Sequence, residues 1–362
     1  MNAERPGFCR KFGEYLTLFF VVAAKLLTSK ILKKVLKPLS LQVNSTVDFA
    51  SIFNRQLKDA CVLPLEVGPI AGSVKVFPFP HIRVFLIESN KEIAILANRS
   101  PDKVTFTLDL SSQLSSSPVT AQGVSISRPA IFGFNTALKD LDLHMNACSS
   151  LCSIVVPIGY LSSVLRQHRC LILKEFFDNY NVFASEMVSL RLAPMLKKLF
   201  SASYSLKTPF TPLQIENEII STLIGCFADN QSRKLGVALS RKERHAAALK
   251  VLSMTSNSPR IPFEIQDLST QLHQSRTSLF SGCKEKFGMS PIEVVRSVRL
   301  HQVRHALLNT EFCIQNNLGG VIDIANYFGF AGRSHFTRYY KQQFFETPRQ
   351  TLAARRDGEK HF

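Results

Sequence analysis

The chain has 362 residues, 45% of them hydrophobic, and carries 44 Lys and Arg against 27 Asp and Glu, a formal net charge of +17. That much apolar material excludes a disordered polar chain, and the length suits two domains better than one. The strong basic balance points to an anionic partner, nucleic acid or a membrane surface.

The charge is uneven along the chain. Residues 1–40 hold 8 basic against 2 acidic residues, residues 41–240 hold 18 against 15, and residues 241–362 hold 18 against 10. Residues 15–24, YLTLFFVVAA, form an apolar run that Lys25 ends. It is shorter than the roughly 20 residues of a membrane span. Arg10 and Lys11 resemble the start of a signal peptide, but no small-x-small cleavage site follows cleanly. The next stretch, KLLTSKILKKVLKPL, reads as a basic amphipathic helix. Three readings stay open for this extension, residues 1–42: a plain extension, an interfacial helix, and an anchor or signal.

From Val43 to about Val156 the pattern is that of strands. SVKVFPFPHIRVFLIES, KEIAILAN and KVTFTLDLSS carry β-branched and aromatic residues in partial alternation, punctuated by Pro and Gly. A small barrel or sandwich is expected. His81, Arg83 and His144 are candidate polar groups of a ligand pocket there, set against the plainer reading of exposed strand residues. From Ser162 to about Arg244 the period turns helical. In PLQIENEIISTLIGCF, Ile215, Ile219, Leu223 and Phe227 form a stripe that Ile220 and Ile224 widen, with Glu216 and Glu218 off it. Such a stripe serves either a core or a dimer seam. ADNQSRKLG, 228–236, reads as a linker, so residues 43–240 are expected to form a sensor and dimerisation region, β-rich and then helical.

The last third contains a repeat. Ile265, Leu268, Ser269 and Leu272 match Val321, Ile324, Ala325 and Phe328 at an offset of 56, and Leu279, Cys283 and Phe287 match Phe336, Tyr340 and Phe344 at 57. Each passage reads as a helix, a short turn and a second helix. In the second helices Leu279, Cys283 and Phe287, and Phe336, Tyr340 and Phe344, face inward. Arg276, Thr277, Phe280, Ser281 and Lys284 then face outward in the first unit, and Arg333, Ser334, Thr337, Arg338 and Lys341 in the second. Arg, Ser, Thr and Lys on an open helix face are donors that reach base edges and phosphates, although a solvated charged face is the usual fate of such a run. Finding the same layout twice favours DNA. Between the units, SPIEVVRSVRLHQVRHALL opens with Ser290 as cap, Pro291 and Glu293, and predicts one long helix with Val295, Leu300, Val303 and Leu307 inward.

Residues 243–356 resemble the DNA-binding domain of the AraC/XylS family of bacterial transcription regulators. The resemblance is carried by the bridging helix and by IANYFGFAGRSHFTRYYKQQFFETP, with Arg299-Leu300, Ala325, Gly329-Phe330, Phe336, Lys341, Phe344 and Pro348 at signature positions. It implies that both second helices enter major grooves of double-stranded DNA, with Arg276, Thr277, Phe280 and Ser281, then Arg333, Ser334, Thr337 and Arg338, as readers. It also implies an effector-responsive activator, with RNA polymerase, a small-molecule effector and a second copy of the chain as partners. Some positions depart from the pattern: His273 and Phe345 stand where Gly is usual, Phe280 replaces a polar reader, and Ala331-Gly332 opens the later reading helix. The front region is weakly similar to the sensor regions of ethanolamine-utilisation-type members. The whole chain is therefore expected to be α+β, a mostly-β sensor with a helical dimerisation and linker segment, followed by an all-α DNA-binding domain with two helix-turn-helix units on a long helix.

Nothing suggests an enzyme. No Gly-rich phosphate loop, Gly-x-Ser-x-Gly elbow or His-Glu-x-x-His is present, and an alkyltransferase's Pro-Cys-His setting is missing. The eight cysteines are scattered without a Cys-x-x-Cys, which suits mostly buried reduced thiols in the cytoplasm. His301 and His305 have helical spacing but no nearby third ligand, so they are read as helix-surface residues, and neither metal nor cofactor is expected. The alternative to a plain DNA-binding regulator is one tethered to a membrane by its first residues.

Overall fold

The computed structural model describes residues 38–111, 118–201, 210–227, 233–236, 243–258, 264–330 and 332–359. After β1 (Leu39–Val43) and α1 (Thr46–Phe53) the chain runs through β2 (Lys58–Pro64), β3 (Gly72–Pro78), β4 (Arg83–Ser89), β5 (Ile93–Asn98), β6 (Lys103–Asp109), β7 (Val119–Ala121), β8 (Val124–Ile126), β9 (Ala130–Phe132), β10 (Asp140–Met145) and β11 (Ser150–Pro157). Helices α2 (Ile158–Gln167) and α3 (Ile172–Asn179) lead to β12 (Tyr180–Ala184), a π-helical turn at Val188–Leu192, α4 (Ala193–Phe200), α5 (Pro212–Phe227) and β13 (Arg233–Gly236). The rest is helical: α6 (Glu243–Asn257), α7 (Ile265–Leu272), α8 (Arg276–Phe287), α9 (Pro291–Leu308), α10 (Thr310–Gln315), α11 (Val321–Tyr327), α12 (Arg333–Phe344) and α13 (Pro348–Glu359). A mostly-β front and a helical back are what the sequence pattern predicts.

The strands form two antiparallel sheets, one in the order β1-β3-β4-β11-β6-β9-β12-β13 and one in the order β2-β5-β10-β7-β8. Alternation along each strand sorts residues into layers. On the large sheet, Val84, Phe106, Cys152 and Ile154 face α2 to α5, while Val74, Val76, Ile87 and Leu151 face the small sheet. On the small sheet, Val62, Ile95 and Leu143 face the large one, while Cys61, Leu63 and Ala94 pack against α6, α8 and α9. The layers therefore run from helices to large sheet to small sheet to the C-terminal helices.

Several expectations change. α1 sits inside the stretch read as strands. Ser45 caps it by accepting from the Asp48 amide at 3.0 Å, and Phe49, Ile52 and Phe53 recur at helical spacing on its buried side. β12 interrupts the helical stretch, and β13 falls within the segment read as a linker. β13 pairs with β12 and forms one edge of the large sheet. The α5 stripe of Ile215, Ile219, Leu223 and Phe227 is consumed by the chain's own core, where Phe227 meets Phe106, Phe134, Phe177 and Phe183. It leaves no dimer seam on that face.

Glu216, read as lying off that stripe, is fully buried. Its carboxylate accepts from the His81 amide at 2.8 Å and the Tyr160 hydroxyl at 2.9 Å, and lies 2.6 Å from His81 Nδ1. A charge stripped of water survives only with such partners. Burial and the hydrogen bond to Glu216 together push the Tyr160 phenol up to about 12. These bonds tie α5 to the β3–β4 turn and to α2. Glu216→Ala orphans these donors and should lower stability by about 1–3 kcal/mol, read as a reduced urea midpoint. An unchanged midpoint would mean that packing alone holds α5.

Candidate nucleic-acid interface

The first unit is α7, a turn and α8. His273 ends α7 in the left-handed region, with φ of 52°, a conformation that costs a non-Gly residue about 1 kcal/mol or more. Ser275 then caps α8 by accepting from the Ser278 amide at 3.1 Å. Leu279, Cys283 and Phe287 are buried, and burial pushes the Cys283 thiol up to about 12. Gly282 is forced by close approach: a Cβ there would lie 1.9 Å from the Arg244 carbonyl oxygen of α6.

The second unit is α11, a turn and α12. Gly329 and Gly332 take positive φ in the turn. Phe336, Tyr340 and Phe344 are buried as their spacing predicts, and the Tyr340 hydroxyl lies 2.8 Å from Thr351 Oγ1 of α13. Phe345 ends α12 with φ of 59°, so the helix stops where a Gly would stop it, with a ring left 69% exposed.

Helix α9 joins the units. Ser290 and Glu293 form the expected capping box, with the Ser290 amide donating to Glu293 at 2.6 Å. Those hydrogen bonds hold the Glu293 carboxyl below its ordinary range. Val294, Val295 and Val298 enter the core of the first unit, and Leu300, Val303, Ala306 and Leu307 that of the second. The expectation of surface histidines on α9 is wrong for His301. It is buried and meets the Phe344 ring edge-on, with centroids 4.9 Å apart. Burial, helped by Arg304, lowers its pKa to about 3. His305 is half-buried and its Nδ1 lies 3.1 Å from the Oγ of Ser45, the cap of α1. Among the described residues no group of three His, Cys, Asp or Glu side chains could hold a metal.

On α8, Arg276, Thr277 and Lys284 are exposed, Phe280 is 51% exposed, and Ser281 is half-buried. The Arg276 guanidinium is held by Gln266 of α7, Nε donating at 2.7 Å. Lys284 bends toward the helix end, donating to the Gly288 carbonyl at 3.1 Å with Glu293 at 3.7 Å. On α12, Ser334, Thr337, Arg338 and Lys341 line one open concavity. Arg338 lies along the helix, 3.3 Å from His335 Nδ1 and over the Tyr339 ring. The Arg333 side chain lies outside the described residues. Sequence reasoning missed Gln266 and His335, which orient Arg276 and Arg338. Their signal was spacing alone: His335 three residues before Arg338, Gln266 ten before Arg276.

A second candidate feature lies between the sheets. A cavity of about 90 Å³ is lined by apolar side chains, among them Ile52, Phe53, Phe85, Ile95 and Leu143, with Gln56, Arg99, Thr107, Gln122, Ser153 and Asn181 as polar points. Arg99 donates to the Asn135 carbonyl at 2.7 Å and to that of Gly133, and burial lowers its pKa to about 10. None of His81, Arg83 and His144 lines this cavity. His81 serves Glu216, Arg83 donates to the Phe79 and Ile82 carbonyls, and His144 lies 2.7 Å from Glu92.

Residues 268–354 match a family described as a helix-turn-helix domain. The chain is 29% identical over 125 residues to "Regulatory protein HrpB" of Ralstonia nicotianae, a stretch that is 34% of this chain and 24% of that relative. The chain thus spans about a quarter of the length of that curated relative. Three solved structures are similar. One is a probable AraC family transcriptional regulator from Rhodopseudomonas palustris CGA009, 25% identical, covering 30% of this chain and 97% of that one, with a TM-score of 0.27. Another is a transcriptional regulator with an AraC-type DNA-binding domain from Chromobacterium violaceum, 24% identical, covering 32% and 93%, with a TM-score of 0.26. The third is ToxT from Vibrio cholerae O395, 14% identical, covering 83% and 98%, with a TM-score of 0.26.

Gly282→Ala should drive α8 off α6 and cost about 1–3 kcal/mol, as overpacking does. An unchanged melting temperature would show that the two helices do not approach so closely. His301 gives a pH signature. Its pKa is depressed in the folded state, so its contribution is complete above the unfolded pKa of about 6.5 and is lost as the pH falls toward about 3. Between pH 7 and 5 the wild type should lose about 2 kcal/mol more than His301→Leu. Parallel losses would place His301 in contact with water.

Proposed function

We propose that this chain, whose residues 268–354 match a helix-turn-helix family, is a sequence-specific transcription regulator of the AraC type that reads two adjacent major grooves. The observation that carries the reading is the pair of open polar helix faces, one on α8 and one on α12, mounted on a single rigid helix. With 18 residues, α9 spans about 27 Å at 1.5 Å per residue, close to the roughly 34 Å between successive major grooves on one face of B-DNA. On this reading Arg276, Thr277 and Ser281 on α8, with Arg333, Ser334, Thr337 and Arg338 on α12, contact base edges. Lys284 and Lys341 neutralise phosphates. Phe280 offers its exposed ring to a thymine methyl.

The cavity between the sheets supports the effector-responsive part of this reading. It is mostly apolar with a few convergent polar groups, the usual make-up of a ligand site, and has room for more than one water. A small, mainly apolar molecule with one acceptor for Arg99 fits that lining. Such a regulator works in the cytoplasm, where DNA and RNA polymerase are, and a homodimer would use a face other than the α5 stripe. No helix among the described residues is long and apolar enough to cross a membrane. Residues 1–37, on which the tethered alternative rests, lie outside the described residues.

The test begins with selection of duplexes from a random pool by the purified full chain, which should return a two-part site about one helical turn apart. Arg338→Ala should then reduce discrimination at one base pair by about 1–3 kcal/mol while leaving the melting temperature unchanged. Equal weakening on selected and random DNA would reduce Arg338 to a phosphate contact.

A further inference from the structure

The small sheet has two occupied faces. Along β10, Leu141 and Leu143 line the cavity, and the residue between them, Asp142, points to the opposite side. There its two carboxylate oxygens meet the Lys286 ammonium at 2.7 and 2.8 Å. Lys286 belongs to the last turn of α8, the proposed reading helix of the first unit. The pair is enclosed: the side chains are 11% and 5% exposed. Around it Cys61, Leu63 and Ala94 of β2 and β5 pack on the same helical unit.

We propose that Asp142 is a positioning residue for DNA reading, and that through Lys286 it braces the reading face of α8 on the small sheet. Three observations support this. A buried ion pair adds little net stability but strongly disfavours any arrangement that separates it, so it selects one docked geometry. The docked sensor leaves Arg276, Thr277 and Phe280 exposed, so it braces α8 without covering its reading face. And α12 is held by a separate contact, the Gly68 amide donating to the Gln343 carbonyl at 2.6 Å, so each reading helix has its own tie to the sensor. Because Asp142 shares a strand with two cavity-lining leucines, the filling of the cavity and the setting of α8 act on one element.

The proposal rests on the reading of α8 as a DNA-reading helix, and the experiment separates the two. The full chain, Asp142→Asn, and the charge reversal Asp142→Lys with Lys286→Asp are compared on a duplex selected by the wild type. Each is also measured on that duplex with either half scrambled; the α8 half is the one where Arg276→Ala relaxes base preference. Asp142→Asn should bind the intact duplex about tenfold more weakly, within the range of ordinary coupling between sites. The loss should vanish when the α8 half is scrambled, persist when the α12 half is scrambled, and be largely recovered by the charge reversal. Unchanged or tighter binding by Asp142→Asn would overturn the brace. So would an equal loss on the duplex with a scrambled α8 half, which would mark general destabilisation. A wild type with no preference for any duplex would remove the DNA-reading assignment and the brace together.

Discussion

The structure depends on one helix being buried twice. Successive turns of α9 enter two different hydrophobic cores, Val294 to Val298 in one and Leu300 to Leu307 in the other. Neither unit can rotate about α9 without exposing apolar surface, at about 25 cal/mol for each Å². The relation between α8 and α12 is therefore set by packing. Cross-links add to it: Arg296 lies 4.0 Å over the Tyr339 ring, and Arg304 is 3.1 Å from Glu346. Two helix faces held this way keep a fixed spacing that no single surface contact supplies.

The β-rich front region follows the same economy. Its small sheet is buried on both faces, so β2 reads almost continuously apolar, Ala60 to Leu63, where a one-sided strand would alternate. The large sheet is likewise covered by helices on its outer face. Glu216 is the one charge driven into that helix layer's core among the described carboxylates that are fully buried, and its bonds to the β3–β4 turn and Tyr160 decide how α5 lies.

Helices α8 and α12 were legible because their information is local. Leu279, Cys283 and Phe287, and Phe336, Tyr340 and Phe344, recur every four residues or so, and helix geometry turns that spacing directly into an inward face. The capping box from Ser290 to Glu293 is four residues long and needs no partner elsewhere. The open concavity under Ser334, Thr337, Arg338 and Lys341 follows from the same wheel. Where local signals conflicted, reading failed: α1 has helical spacing within a strand-rich region, and β13 is a four-residue strand in polar sequence that only pairing with β12 makes a strand.

The sequence by itself determined the helix phases, the caps, the duplicated unit and the basic balance of the C-terminal third. All of these arise from neighbours within a turn or from composition. Tertiary structure alone decided the burial of Glu216, whose partner His81 is 135 residues away, the burial of His301 against Phe344, and the cavity with Arg99 at its edge. It also decided the meeting of Asp142 with Lys286, 144 residues apart. A polar side chain reads as exposed in sequence because burial without a partner is costly, and the partner that reverses that cost is supplied by a distant strand or helix only when the chain is folded.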